Sequence, residues 1–72
     1  MTPVATIGIE VNGEARRVPE GATAASLVAD LGLRPELVAV EVNRRLVRRA
    51  ERGERRLEAG DQVEIVTLVG GG

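Results

Sequence analysis

Asp61-Gln-Val-Glu-Ile-Val-Thr-Leu-Val-Gly-Gly-Gly72 is the stretch on which the fold turns. Val63 and Ile65 alternate with Glu64, Val66 and Leu68, and a period of two predicts a strand with Val63 and Ile65 facing a core. Three glycines follow and offer no side chain for a fold to grip. The expected arrangement is therefore a strand that delivers a slender arm. An extended residue spans at most ~3.3–3.6 Å, so the arm places the α-carboxyl of Gly72 roughly 10 Å beyond the last side chain. An α-carboxyl titrates near ~3.5 and is ionised at neutral pH. A thin anionic probe of this kind suits a narrow active site on another protein. The competing reading is a frayed terminus.

Outward from this strand, the chain supplies partners for it. Val4 to Val11 alternates, with Ile7, Ile9 and Val11 on one face. Asn12-Gly13 is a strong hairpin signal, because both residues tolerate the positive φ of a type I′ turn. Glu14 to Val18 is then the return strand. A two-residue loop pairs Val11 with Glu14, Ile9 with Arg16 and Ile7 with Val18, which puts Arg16 on the core face. Either Arg16 snorkels at the sheet margin or a bulge shifts the register. Pro19-Glu20-Gly21 ends the hairpin.

Ala24, Leu27, Val28 and Leu31 fall on one helical stripe. Thr23 is the expected N-cap, with Ser26 where a capping box uses Glu or Gln. Gly32 suits a left-handed stop and Pro35 blocks resumption. A helix over 23–31 is too short to persist alone and must pack on a sheet. Leu37 to Asn43 reads as a strand with Val38, Val40 and Val42 inward. Asn43-Arg44-Arg45 reads as a turn and Leu46-Val47 as a brief strand. The charge-dense span 48–56 reads as a surface loop with one helical turn, Leu57 as a core plug, and Glu58-Ala59-Gly60-Asp61 as a tight turn. The order is β-β-α-β-β-β. It predicts an α+β roll, a mixed sheet of four to five strands with one main helix across it. The right-handed crossover rule lets the last long strand lie parallel to the first, in the sheet centre. One domain over 1–69 and a flexible arm over 70–72 is the expected organisation.

Composition removes several classes of function. The 72 residues include no Cys and no His, which excludes a disulfide, a zinc site and His- or Cys-based catalysis. No Phe, Tyr or Trp is present, so the core is aliphatic and base-stacking platforms are absent. A net charge of −1 argues against a nucleic-acid binder. All ten basic residues are Arg, which removes Schiff-base chemistry. No apolar run is long enough for a membrane span and no secretory leader is visible, so a cytoplasmic location is expected.

Candidate chemistry inside the domain is sparse. Glu10, Glu14 and Glu20, or Glu51, Glu54 and Glu58, sit in turns or exposed stretches beside arginines and read as solvated charges. Active carboxylates need burial or a specific partner. Gly70, Gly71 and Gly72 lack the helix and Lys-Ser/Thr of a phosphate loop. Arg44, Arg45, Arg48, Arg49, Arg52, Arg55 and Arg56 form a basic cluster. It reads as a solvated face interleaved with Glu51, Glu54 and Glu58, with a docking surface for an acidic partner as the alternative. Val66, Leu68 and Val69 are expected to form an outward aliphatic patch beside the arm, which fits partner docking.

The helix stop at Gly32, the phrase Val38-Ala-Val-Glu-Val-Asn43, the strand Gly60-Asp-Gln-Val-Glu-Ile-Val66 and the closing Val69-Gly-Gly-Gly72 together resemble the ThiS family of sulfur carriers in thiamine biosynthesis. The resemblance covers essentially the whole chain. It implies a β-grasp, ubiquitin-like fold and a protein co-substrate in place of an enzyme. By that resemblance Gly72 is adenylated by an E1-like activating enzyme of the ThiF or MoeB type, which consumes ATP. Sulfur from a cysteine desulfurase or another donor then makes a thiocarboxylate on Gly72. A thiazole synthase of the ThiG type takes up that sulfur. Gly70 and Gly71 form the thin arm, with no bound cofactor, metal, nucleic acid or membrane. The same motifs also fit a molybdopterin-synthase small subunit, a carrier for tRNA thiolation, or a non-catalytic β-grasp interaction module. Asn43-Arg44 departs from the expected Asn-Gly and leaves that turn's geometry open.

Overall fold

The structure, a computed structural model, describes residues 5–68. Five strands, β1 (Thr6–Val11), β2 (Glu14–Pro19), β3 (Val38–Val42), β4 (Arg45–Val47) and β5 (Gln62–Thr67), form one sheet with α1 (Ala24–Asp30) across it. The sheet order is β2-β1-β5-β3-β4. β5 lies parallel to β1 and antiparallel to β3, so the sheet is mixed and β5 is its central strand, as the crossover rule predicts. The fold is α+β.

The β1–β2 hairpin closes through Asn12 (φ 51°) and Gly13 (φ 82°), the two positive angles of a type I′ loop. Its register is Val11 opposite Glu14, Ile9 opposite Arg16 and Ile7 opposite Val18, so no bulge intervenes. Arg16 therefore stays on the core side of edge strand β2 and is half-buried. Its guanidinium Nε is buried without a hydrogen-bond partner. Pro19 ends β2 inside the strand, which an edge position tolerates.

α1 is fixed at both ends by hydrogen bonds that short helices need most. Thr23 Oγ1 accepts from Ser26 N–H at 3.1 Å and Ser26 Oγ accepts from Thr23 N–H at 2.8 Å, so Ser26 completes a capping box without Glu or Gln. The next two donors are met by the 48–57 loop: Ala24 N–H donates to Arg55 C=O and Ala25 N–H to Arg52 C=O. At the other end Gly32 (φ 72°) N–H donates to Ala29 C=O and Leu33 N–H to Val28 C=O, the paired bonds of a Schellman stop. Ala24, Leu27 and Val28 are buried on a core that includes Ile9, Val18, Val40, Val63 and Leu57. Full burial of a side chain such as Leu27 contributes about 1.5–3 kcal/mol.

Two boundaries differ from the sequence reading. Leu37 belongs to a 3₁₀ turn, Pro35–Leu37, because Pro35 pre-sets its φ, and β3 starts at Val38. Arg45 is in β4, opposite Val42, so the β3–β4 loop is only Asn43 (φ 54°) and Arg44 (φ 68°). The turn thus takes type I′ angles with Arg44 in the position that glycine usually fills. The helical turn expected in the basic loop is present as a 3₁₀ turn, Arg49–Glu51.

A further difference concerns Arg52, which the sequence reading places in the solvated basic cluster. It is only 5% exposed. Its guanidinium donates to Pro35 C=O at 2.9 Å and Val38 C=O at 2.8 Å. Planar donors reach two carbonyls at once, so Arg52 ties the loop to the entrance of β3. Leu57, by contrast, is a core plug as expected.

Candidate functional site: the outer end of the central strand

β5 is held by side chains from both hairpin turns. β1 ends at Val11, beside Val63. Beyond it Asn12 N–H donates to Val63 C=O at 2.8 Å. The Asn12 side-chain amide then continues the ladder: Ile65 N–H donates to Asn12 Oδ1 at 2.8 Å, and Asn12 Nδ2 donates to Ile65 C=O at 3.2 Å. One side chain thus replaces a strand residue. On the opposite edge Gln62 N–H donates to Asn43 Oδ1 at 2.9 Å and Asn43 Nδ2 donates to Asp61 Oδ1 at 3.0 Å. Buried Asp61 also accepts from Glu58 N–H at 2.8 Å and lies 3.7 Å from Arg55. Sequence reasoning gave Asn12 and Asn43 turn roles only. Their side-chain roles follow from register, since each asparagine sits beside a strand that outruns its neighbour.

The hold on β5 reaches its far end. Leu68 N–H donates to Leu37 C=O at 2.7 Å. Backbone pairing therefore fixes the chain one residue before Val69. Val69, Gly70, Gly71 and Gly72 lie outside the described residues.

Val66 and Leu68 point away from the core, 57% and 50% exposed. Two further aliphatic residues share the exposed surface: Leu46 at 65% and Leu37 at 40%. Ala39-to-Val66 pairing brings the half-buried Ala39 of β3 beside them in register. Leu37 and Leu46 come to this surface through the strand order and the β3–β4 register, which local pattern does not supply. A groove of about 370 Å³ runs between Leu46 and Leu68, bordered by Arg48 and Arg49. At its edge the Glu36 carboxyl is held below its usual range, by a backbone hydrogen bond and then by Arg34, which donates to it at 2.9 Å.

Among the described residues no group of His, Cys, Asp or Glu is arranged to hold a metal ion. No helix among them is long and apolar enough to cross a membrane. The acidic residues considered as acid/base pairs, Glu10, Glu14, Glu20, Glu51, Glu54 and Glu58, are all exposed.

Comparison with known proteins bears on this arrangement. A match to the ThiS family spans residues 9–72. A thiazole synthase of Magnetococcus marinus is 42% identical over 64 residues, covering 89% of this chain and 20% of that protein. A thiazole synthase of Paramagnetospirillum magneticum is 36% identical over 62 residues, covering 86% of this chain and 19% of that protein. The chain thus spans about a fifth of the length of the curated relatives it matches. The crystal structure of the thiamine biosynthesis protein ThiS from Geobacter metallireducens superimposes with a TM-score of 0.79 at 29% identity, covering 92% of this chain and all of that one. The sheet order, the single capped helix and this structural match make the fold a ubiquitin-like β-grasp. On the family match through residue 72, the chain belongs to the ThiS family.

Proposed function

We propose that the chain is a sulfur carrier of thiamine biosynthesis, a protein co-substrate and not a catalyst. The observation that carries this reading is the extent of the family match, which runs through the glycine arm to residue 72. The working atom is then the α-carboxyl of Gly72. A carboxylate is a poor electrophile, so a partner activating enzyme joins it to the α-phosphate of ATP and pyrophosphate leaves. Sulfur from a persulfide displaces AMP at the carbonyl carbon. A second thiol then attacks the donor cysteine's sulfur in this acyl disulfide, forming a disulfide with it and releasing a thiocarboxylate on Gly72. The carrier supplies no base, metal or bound cofactor to these steps.

Two features support the division of labour. β5 is pinned on both edges, so the start of the arm has a defined position relative to the globule. Val66 and Leu68 leave an aliphatic surface beside it for a partner, with Val69 next in sequence. Gly70 and Gly71 give the arm its small cross-section, since a Cβ at either position would widen it and narrow its φ/ψ range. Both curated relatives carry the name thiazole synthase, and the structural neighbour is named for thiamine biosynthesis. These names favour a thiazole synthase as the acceptor over molybdopterin synthase or a tRNA-thiolating enzyme. The proposed setting is the cytoplasm, with a cysteine desulfurase or a similar donor supplying sulfur.

Gly71→Ala tests the arm. The variant is expected to lose most adenylation and sulfur transfer while its melting temperature stays unchanged. Full transfer by Gly71→Ala contradicts the tunnel requirement.

A further inference from the structure

The bond that Leu68 N–H makes does not go to a strand. β3 starts at Val38, opposite Thr67. One residue further out, the acceptor at 2.7 Å is the carbonyl of Leu37, which ends the 3₁₀ turn Pro35–Leu37. Leu37 N–H donates at 3.0 Å to Arg34 C=O, inside the turn. Leu37 and Leu68 thus share one hydrogen bond, where a closely paired antiparallel row has two. The ladder alone therefore sets the place of Leu37 C=O only loosely. Arg52 sets it from both sides, because its guanidinium donates to Pro35 C=O at 2.9 Å and to Val38 C=O at 2.8 Å. Val38 C=O is open to it because β4 stops at Val47, opposite Val40. The backbone of Arg52 is held as well: its C=O accepts from Ala25 N–H, in the first turn of α1, at 3.1 Å. Neither ion pair among the described residues, Arg34–Glu36 or Arg55–Asp61, includes Arg52, which is buried. Burying a charge is costly without partners, and here two carbonyls flanking Leu37 receive it.

A continuous path of hydrogen bonds runs from α1 through Arg52 to the turn around Leu37, and from Leu37 to Leu68. We propose that Arg52 is a positioning residue for the reaction at Gly72, fixing the turn that holds the foot of the arm. The proposal rests on the carrier reading for the reaction it serves. With the Leu68 bond in place, residues 69–72 lie beyond the last backbone tie. Without it the paired rows end at Val38 opposite Thr67, and residues 68–72 lie beyond. The added length alone lowers the effective concentration of the carboxyl at a partner's site by less than about twofold. Lost direction at the first link is the larger effect, since a reacting group displaced by about an ångström loses up to ~100-fold in rate.

Three full-chain variants test it. Arg52→Lys keeps the charge but cannot span both carbonyls, and Arg52→Met removes every donor. Val18→Ala trims the core on β2, which β1 separates from β5, and controls for lost stability alone. Adenylation is read as ATP–pyrophosphate exchange by an activating enzyme of the ThiF type, with carrier concentration varied, at a temperature where melts show each chain folded. Amide exchange at Leu68 is read alongside. Arg52→Lys is expected to lower kcat about fivefold with KM within about twofold, because the arm is misdirected while the rest of the surface is unchanged. Arg52→Met should lower kcat further, and Val18→Ala should keep the wild-type value. Exchange at Leu68 should be about tenfold faster in Arg52→Lys than in Val18→Ala, since the opening is local. Should Arg52→Met not fold, Arg52→Lys alone decides. Wild-type kcat in Arg52→Lys overturns the assignment, as does an equal fall in Val18→Ala or Leu68 exchange no faster than in that control. A wild-type chain that supports no ATP–pyrophosphate exchange, with an enzyme proven competent on another carrier, overturns the carrier reading and the reaction assigned to Arg52 with it. Leu68 exchange then still reports on the tether.

Discussion

Asn12→Gly isolates the contribution of a side chain that stands in for a strand. Glycine accepts the left-handed angle at position 12 without strain, so the hairpin loop survives. What disappears is the amide that bonds both Ile65 N–H and Ile65 C=O. Strand geometry points both of these groups toward β1, away from β3, so no neighbouring backbone can replace Asn12. Each neutral hydrogen bond is worth about 0.5–1.5 kcal/mol, and a backbone group left unsatisfied costs more. The expected loss is about 2–3 kcal/mol. A chain of this length has a total stability on the order of 4–11 kcal/mol, and the melting temperature should fall by roughly 10–20 °C. Urea denaturation gives the free energy, and amide exchange at Ile65 gives the location. Exchange at Ile65 should accelerate more than exchange at Val40. A variant within about 0.5 kcal/mol of wild type, with Ile65 exchange unchanged, would show that water replaces the clamp and that the account of β5 is wrong.

Other consequences are open to direct measurement. Arg44 holds a left-handed angle that costs an L-residue about 1–2 kcal/mol, part of which glycine returns as chain entropy. Arg44→Gly should therefore raise stability by about 0.5–1 kcal/mol in a thermal melt, and a lower melting temperature would contradict the strain. Arg52→Lys should destabilise by about 1–3 kcal/mol in urea, because an ammonium cannot span Pro35 C=O and Val38 C=O as the planar guanidinium does. Wild-type stability in that variant would mean the two carbonyls do not depend on the fork.

Much of this architecture could be read from local pattern. Alternation assigned the inward sides of β1, β3 and β5, and Asn12-Gly13 marked the hairpin turn, but the choice between a core-side Arg16 and a bulge needed the strand pairing itself. Gly32 marked the helix stop because few other residues take that angle. The exposed pair Val66 and Leu68 followed from the same alternation. What pattern could not supply were contacts made by residues distant in sequence. Arg52 lies in a run of arginines and glutamates, and nothing local separates it from its exposed neighbours. Its burial depends on two carbonyls 14 and 17 residues away. The type I′ angles at Asn43-Arg44 were illegible for a related reason. Short loop length and sheet twist impose them against the preference of Arg44. Leu37 and Leu46 joined the exposed surface only once the strand order was known.

The central claim is that sulfur travels on the α-carboxyl of Gly72. Its most direct test is the intact mass of the full chain after incubation with ATP, an activating enzyme and a persulfide donor. The account predicts a gain equal to one oxygen exchanged for one sulfur, localised to the C-terminal fragment and dependent on ATP. An unchanged mass with an activating enzyme proven competent on another carrier would contradict it.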